Sequence, residues 1–254
     1  MKTLLALLLL IPSLSFGSKE EPPYYGTAWE FPDIISSDDF STFQELIYKG
    51  EDEREMYDRR KGGRWVTNKA FLFDALFENQ VIEIQVNNEF KNSNQASTEA
   101  SKYAEIIGRL PNFLLTNVQT VWIHKGDNDY GGGNNNLLIH TGRTQEYLEH
   151  EVLEEILIHE AAHTSLDWNF NGSINRSEWE EAQKKDKNFI SIYAKDYPDR
   201  EDVAETILPW IAVKYRKDSI SQEDIDIILT TIPNRLKLFD EQNFDIYPIR
   251  KNSK

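Results

Sequence analysis

The sequence predicts an α+β fold with a small twisted sheet, one long buried helix beneath it and a mostly helical C-terminal part. The alternating stretch VIEIQVN, residues 81–87, is typical of a strand with one buried and one wet face. Two further apolar stretches, 118–126 and 134–142, indicate two more strands. Residues 144–166 have apolar side chains on most sides, the pattern of a buried helix.

The N-terminus predicts a targeting segment. Residues 1–17, MKTLLALLLLIPSLSFG, combine a lysine with an apolar run that is too short to span a bilayer, which indicates a secretory signal peptide. We therefore expect a secreted, extracellular protein, or a periplasmic one in a Gram-negative source. Residues 18–40 predict an irregular N-terminal arm to which we assign no chemistry. A single domain is expected over residues 41–254, and its first stretch, 40–56, has a patchy helical pattern.

Composition excludes several classes of partner. The chain has a net charge of −15 and no cysteine. An acidic surface repels phosphates, so we expect neither nucleic acid nor, after signal cleavage, a membrane as a partner. Because thiolates are absent, any zinc ion must be bound by histidine, aspartate or glutamate.

The middle of the chain alternates helix and strand. Tyr103, Ile106, Ile107 and Leu110 lie at helical spacing before Pro111. The segment DNDYGGG, which joins the second and third predicted strands, lacks the GK[ST] ending of a phosphate loop. We therefore interpret it as a flexible hairpin loop. The short run RRKGG at 59–63 is too small for a basic patch, so we assign it no function.

Chemistry concentrates in LIHEAAHTSLDW, residues 157–168. His159 and His163 stand at positions i and i+4 of the predicted helix, so both imidazoles can reach one metal ion. Glu160 completes the HExxH pattern, in which glutamate serves as the base for a water molecule that the metal activates. A buried helix with hydrogen-bonded histidines is the alternative.

A catalytic zinc ion needs a third protein ligand. No histidine follows His163, so this ligand must be a carboxylate or a tyrosine. The best candidates are Glu201 and Glu205, one turn apart on a helix predicted to begin at Pro198 and Asp199. One of the two carboxylates would bind the metal and the other would steady a ligand histidine. An exposed helical face is the alternative for this pair.

HEAAH, followed about forty residues later by YAKDYPDREDVAE, resembles the gluzincin-like zinc peptidases related to anthrax lethal factor and the Pro-Pro endopeptidases. The resemblance covers about residues 118–216 and implies a zincin-like fold. It implies that Glu201 is the third zinc ligand, that Glu205 supports the site and that Tyr193 assists the transition state. Tyr193 lies one residue further from the glutamate pair than the family pattern has it, so Tyr197 is the fallback. Ala162 also departs from the family, which commonly has glycine there.

The resemblance further implies that an edge strand before the metal helix pairs with an extended substrate. We assign this role to residues 136–141 and expect His140, within it, to be a packed or surface histidine.

A second ion is conceivable in the loop 167–178, DWNFNGSINRSE, whose polar positions match an EF-hand spacing. Only Asp167 and Glu178 are charged ligands, and two aromatic side chains occupy positions that are usually polar. A plain turn is therefore preferred to a Ca²⁺ site.

Together these features predict a secreted zinc-dependent endopeptidase that hydrolyses peptide or protein substrates, with Zn²⁺ bound by His159, His163 and Glu201. The alternatives are a non-proteolytic binding protein on a zincin scaffold, and a secreted calcium-binding module built on residues 167–178.

Overall fold

The computed structural model describes residues 21–172 and 175–249. The predicted signal peptide at residues 1–17 lies outside these ranges. The described chain is α+β, as predicted. It has one mixed sheet, and helices both precede and follow residues 157–168 in the sequence. None of its helices has the length and apolar character needed to cross a membrane.

The sheet contains six strands in the order β1-β2-β3-β4-β6-β5. The strands β3, β4 and β6 are parallel, whereas β1 and β2 are antiparallel additions on one side and β5 is an antiparallel addition on the other. Their bounds are β1 Phe43–Asp58, β2 Arg64–Phe77, β3 Val81–Val86, β4 Thr120–His124, β5 Gly131–Gly133 and β6 Asn136–His140.

The α-helices are α1 Thr27–Glu30, α2 Ser93–Ile107, α3 Asn112–Leu115, α4 Thr144–Glu149, α5 Leu153–Ser165, α6 Arg176–Asp186, α7 Ile192–Asp196, α8 Asp202–Tyr215, α9 Gln222–Thr231 and α10 Pro233–Asp240. Apart from an isolated β-bridge of Ser191 with Tyr24, the described chain after β6 consists of helices and connecting segments, which confirms the predicted helical C-terminal part. Helix α5 packs on β5 and β6 and, on its other side, against α8. This contact between α5 and α8 builds the candidate site.

The first predicted strand is confirmed, but its wet face is wrong. Ile82 and Ile84 are fully buried in the main core, as the alternation requires. Gln85 and Asn87, on the opposite face, are only 4 % and 5 % exposed. They are covered because the β1–β2 hairpin bends across that face of the sheet and buries it.

The patchily helical pattern at residues 40–56 is also wrong, because most of this segment is β1. Charged side chains interrupt the alternation of apolar and polar residues along β1, so the sequence pattern does not indicate a strand. The same charges suit an edge strand, where they discourage pairing with another chain. Pairing with β2 continues from Phe43 to Asp58 and is interrupted by register shifts, one of them next to Gly50. At Gly50, φ is +100°, a backbone conformation that glycine adopts freely.

The β1–β2 hairpin buries a second, smaller apolar cluster against the outer face of the sheet. Met56, Ala70, Leu72, Trp122 and Leu138 form this cluster. At about 25 cal/mol for each Å² of apolar surface, burial of such side chains stabilises the bent hairpin by several kcal/mol. The hairpin is therefore packed onto the sheet and its tip is carried toward the other edge.

The single long helix predicted at 144–166 is wrong, because two helices, α4 and α5, occupy the segment. Glu151 between them has φ of +55°. Its carbonyl accepts a hydrogen bond from the amide of Asp33 at 2.9 Å, while the amide of Val152 bonds back to Tyr147 at 2.9 Å. Contact with the N-terminal arm thus breaks the helix, and α5 begins at Leu153, six residues before His159.

The flexible hairpin loop predicted at the triple glycine is wrong as well. Gly131–Gly133 forms β5, which pairs antiparallel with β6. The strand assigned to the sheet edge, residues 136–141, consequently lies inside the sheet as β6, between β4 and β5. In a sheet of this order, β5 presents the open edge beside α5.

Candidate metal centre

Helix α5 presents the HExxH residues as predicted. It is apolar on most sides and almost entirely buried, which holds its orientation between the sheet and α8. His159 and His163 lie one turn apart on the face toward α8. Their Nε2 atoms are 3.1 Å apart.

Glu201 joins the two histidines from the N-terminus of α8. Its Oε2 atom lies 3.2 Å from Nε2 of His159 and 3.0 Å from Nε2 of His163. The ligand atoms of the three residues all lie within 4.8 Å of one another. The helix was predicted to begin at Pro198 and Asp199, but it begins at Asp202. Glu201 directly precedes it, and the Glu201 carbonyl accepts a hydrogen bond from the amide of Glu205 at 2.8 Å.

This arrangement fits a metal ion. Two imidazole nitrogens bound to one tetrahedral zinc ion at 2.0–2.1 Å lie about 3.3 Å apart, close to the separation of the two Nε2 atoms. A cation can satisfy all three donor atoms at once, because they converge on one point. The buried triad of His159, His163 and Glu201 can therefore hold a metal ion.

The charges of the three residues reinforce one another when no metal is bound. Burial alone would lower the pKa of His163, but the carboxylates of Asp167 and Glu201 outweigh burial and raise it to about 9. Burial would raise the pKa of Glu201, but the two histidines outweigh it and lower that pKa far below its usual range. Glu201 is thus a carboxylate ready to bind a cation, and a metal would displace protons from the histidines.

The outer nitrogens of both histidines face carboxylates. Nδ1 of His163 lies 2.9 Å from Oδ2 of Asp167, and Nδ1 of His159 lies 3.3 Å from Oε1 of Glu205. Such contacts orient the rings and direct both Nε2 atoms to the metal position. Glu205 therefore lies outside the triad, in contact with His159. Asp167 was not assigned this contact, although its place at i+4 from His163 on a continuing helical path was a usable signal.

The N-terminal arm, to which no chemistry was assigned, holds Glu205 in place. The amide of Thr27 donates to Oε2 of Glu205 at 2.8 Å, and the Thr27 hydroxyl donates to the Glu205 carbonyl at 3.0 Å. Apart from α1 and an isolated β-bridge between Tyr24 and Ser191, the described part of the arm has no regular secondary structure. No local pattern signals this contact because it joins residues 178 positions apart in the chain.

The metal ligands open into a cleft of about 820 Å³. Glu160 lines this cleft and is half-buried. Within the part of the chain that the structure describes, its carboxylate makes neither a hydrogen bond nor an ion pair. A carboxylate in this state can accept a proton from a water molecule beside the metal ligands.

Tyr193 also lines the cleft, whereas Tyr197 does not and is 50 % exposed. The Tyr193 ring lies 6.3 Å from the His159 ring, nearly parallel to it. Burial and the carboxylate of Glu201 raise the pKa of Tyr193 to about 12, so its hydroxyl remains a hydrogen-bond donor. Arg200 donates to Oε1 of Glu201 at 2.6 Å, which leaves Oε2 directed at the histidines.

Strand β5 packs tightly on α5 beside Glu160. A side-chain carbon on Gly132 would lie 1.8 Å from the Glu160 carbonyl oxygen, so only glycine fits there. The hydroxyl of Thr164, one turn after Glu160, accepts a hydrogen bond from the amide of Gly133 at 2.8 Å. The same hydroxyl donates a hydrogen bond to the Asn136 carbonyl at 2.8 Å. An open strand edge is thus fixed next to the metal ligands.

The calcium hypothesis for residues 167–178 gains no support from the described part of that loop. Residues Trp168–Gly172 form a turn of π-helix, and Phe170 is fully buried. One carboxylate oxygen of Asp167 contacts His163, and the other accepts a hydrogen bond from Asn171 at 2.9 Å. Asp167 is therefore engaged in supporting the metal centre.

Comparisons with protein-family models, with curated proteins and with solved structures find no match to this chain. The fold and the site define an α+β protein with a buried triad able to hold a metal ion.

Proposed function

We propose that this protein is a secreted zinc-dependent endopeptidase with a zincin-like catalytic domain. The observation that carries the proposal is the convergence of His159, His163 and Glu201 on one point, with the carboxylate of Glu160 beside them in an open cleft. A purely structural metal site has no use for such a base. Secretion rests on the predicted signal peptide at residues 1–17.

In this proposal His159, His163 and Glu201 hold the ion through two nitrogens and one carboxylate oxygen. Bound there, zinc would supply Lewis acidity, which makes water more acidic and polarises a peptide carbonyl. Glu160 accepts the proton of the attacking water and then delivers it to the leaving amine. Glu205 and Asp167 keep the two imidazoles oriented throughout.

The remaining groups of the cleft bind and position the peptide. Strand β5 pairs through its open edge with an extended substrate, so main-chain hydrogen bonds supply affinity for many sequences. The Tyr193 hydroxyl donates a hydrogen bond to the oxygen that becomes negative in the transition state. Exchange of Tyr193 for phenylalanine is therefore expected to lower kcat and leave the zinc content unchanged.

The first test is zinc content. After dialysis, the wild type is expected to retain about one zinc ion per chain, and His163→Ala and Glu201→Ala are expected to lose it. His150→Ala, which removes an exposed histidine outside the cleft, is the matched control and should retain zinc. Chelation should lower the melting temperature of the wild type, because zinc binds the folded state only. A wild type that binds no zinc after reconstitution would refute the metal assignment.

The second test separates a peptidase from a binding protein. Glu160→Gln should keep its zinc and lose at least about 100-fold in turnover of a peptide library. Zinc binding without hydrolysis of any peptide by the wild type would favour the non-proteolytic binding protein. Stabilisation by millimolar calcium, with none by zinc, would instead favour the calcium-binding module.

A further inference from the structure

The tip of the β1–β2 hairpin brings a cationic side chain, that of Arg59, into the cleft. Arg59 lines the cleft together with the metal ligands, although it precedes them by about a hundred residues in the chain. Its guanidinium lies against β5, because a side-chain carbon on Gly131 would stand 2.8 Å from Nη2 and 3.3 Å from Nε of Arg59. Gly131 directly precedes Gly132, the residue that packs on Glu160.

Two buried histidines hold this hairpin tip in place. The Tyr57 carbonyl accepts a hydrogen bond from Nε2 of His124 at 3.1 Å. The backbone amide of Arg59 lies 3.4 Å from Nε2 of His140, which accepts from it while Nδ1 of His140 donates to the Lys125 carbonyl at 3.1 Å. His140 is fully buried, as expected for a packed histidine. Burial lowers the pKa of both histidines, so they stay neutral and keep these hydrogen bonds at neutral pH.

The arginine next in sequence has the opposite environment. Arg60 is paired with Asp58 at 2.8 Å and with Glu89, which follows β3, at 2.8 Å, so its charge is neutralised by these two carboxylates. In the ranges that the structure describes, no carboxylate pairs with the Arg59 guanidinium. The two adjacent arginines thus divide into one that anchors the hairpin and one whose charge faces the cleft.

The other arginines of the cleft already have acidic partners. Arg143 lies within 3.9 Å of Asp127, 3.3 Å of Asp129 and 2.7 Å of Glu146. Arg200 contacts Glu201 at 2.6 Å. The protein has a net charge of −15. A guanidinium that has no acidic partner among the described residues, and that lies beside a free strand edge, is therefore a local exception to the repulsion of acidic ligands.

We infer that Arg59 makes the cleft select peptides that carry a carboxylate close to the cleaved bond. A peptide that pairs with β5 advances about 3.3 Å per residue, so a carboxylate that reaches Arg59 lies within about two residues of the bond next to Glu160. The guanidinium fork matches a carboxylate with two parallel hydrogen bonds. This inference rests on the proposed peptidase function and names its substrate class.

The test uses the zinc-loaded full chain and two synthetic peptide libraries, one with free and one with amidated C-termini. Cleavage sites are identified by mass spectrometry for the wild type, Arg59→Gln and Arg59→Glu. Arg64→Gln is the matched control, because it removes the same charge from the same hairpin but does not line the cleft. Urea unfolding of each variant verifies that the hairpin remains folded.

The wild type and Arg64→Gln are expected to prefer Asp or Glu over Asn or Gln at one position near the cleaved bond. For peptide pairs that differ only at that position, Arg59→Gln should reduce the ratio of kcat/KM for the acidic peptide to kcat/KM for the amide peptide at least about tenfold. Arg59→Glu should favour Lys or Arg at the same position. Preference in the amidated library identifies a side-chain carboxylate, and preference in the free library alone identifies the terminal carboxylate. Both results support recognition by Arg59.

Three outcomes separate failure of the inference from failure of the proposed function. Cleavage by the wild type without an acidic preference, or an acidic preference that survives in a folded Arg59→Gln, overturns the role of Arg59 and leaves the peptidase intact. Absence of any cleavage by the zinc-loaded wild type in both libraries overturns the peptidase itself, and the inference with it.

Discussion

The packing of β5 on α5 is open to a sharp test through Gly132. In Gly132→Ala the added carbon would lie 1.8 Å from the Glu160 carbonyl oxygen and 2.6 Å from the carbonyl carbon, well inside the roughly 3.5 Å of an ordinary contact. These atoms belong to backbone in a buried helix and cannot rotate away. Strand and helix must therefore separate by more than about 1 Å.

The cost of that separation has two parts. Overpacking of a close contact costs about 1–3 kcal/mol. The hydrogen bond from the Gly133 amide to Thr164, now 2.8 Å long, would also be stretched, which costs about 1 kcal/mol. Gly132→Ala should thus lose about 2–4 kcal/mol in the free energy of unfolding measured with urea. If β5 orients the substrate, the displacement should also lower kcat about 100-fold.

Gly26→Ala is the control, since Gly26 lines the same cleft but has room for a methyl group. The nearest atom to its added carbon is Oε2 of Glu205 at 3.9 Å, and its backbone is extended, with φ of −159°. This variant should unfold within about 0.5 kcal/mol of the wild type. If the unfolding free energy of Gly132→Ala also stayed within about 0.5 kcal/mol of the wild type, the close approach of β5 to α5 would be refuted.

Two further predictions concern buried charge. Burial raises the pKa of Glu155 to about 8, so the folded state holds this proton more tightly than the unfolded chain. That stabilisation is complete below the unfolded pKa of about 4.5 and is lost as pH rises toward 8. Glu155→Gln should therefore exceed the wild type in unfolding free energy by on the order of 3 kcal/mol at pH 8.5, with little difference at pH 4.5. Arg235 is fully buried between Asp186 at 3.1 Å and Asp202 at 2.8 Å, so Arg235→Met should destabilise the fold by about 3–5 kcal/mol in urea unfolding because two buried carboxylates lose their cation.

Each of these predictions has a matched control in the neighbouring sequence. Glu149 is exposed on α4, so Glu149→Gln should change the unfolding free energy by less than about 0.5 kcal/mol at either pH. An equal effect of both glutamine variants at all pH values would contradict the protonated state of Glu155. Lys237 is exposed on α10, and Lys237→Met should change the unfolding free energy by less than about 0.5 kcal/mol. If Arg235→Met lost as little unfolding free energy as Lys237→Met, the stabilising role of the ion pairs of Arg235 with Asp186 and Asp202 would be refuted.

The bent hairpin connects the fold to the proposed specificity. Its length lets β1 and β2 pair far beyond the edge of β3, and its apolar cluster seals the outer face of the sheet. The same bend carries Arg59 to the opposite edge of the sheet, beside β5. One structural device thus both completes the second core and supplies a charge to the cleft.

The sequence by itself determined the features that depend on neighbours a few residues apart. The spacing of His159 and His163 places both on one helical face wherever the helix packs. The alternation of Ile82 and Ile84 with polar residues required a strand whose one face enters the core, and both are buried. Glu201 was predicted from a motif resemblance, and the fold brings it within 3.2 Å of both histidines.

Only the tertiary structure decided the features that depend on distant segments. The break between α4 and α5 follows from a hydrogen bond of Asp33 to Glu151, and the placement of Glu205 follows from its contact with Thr27. The strand character of β1 and the position of Arg59 likewise arise from pairing and bending across the sheet. Periodicity records how a segment prefers to fold, whereas the partner of a segment is selected by packing of the whole chain, which local sequence does not encode.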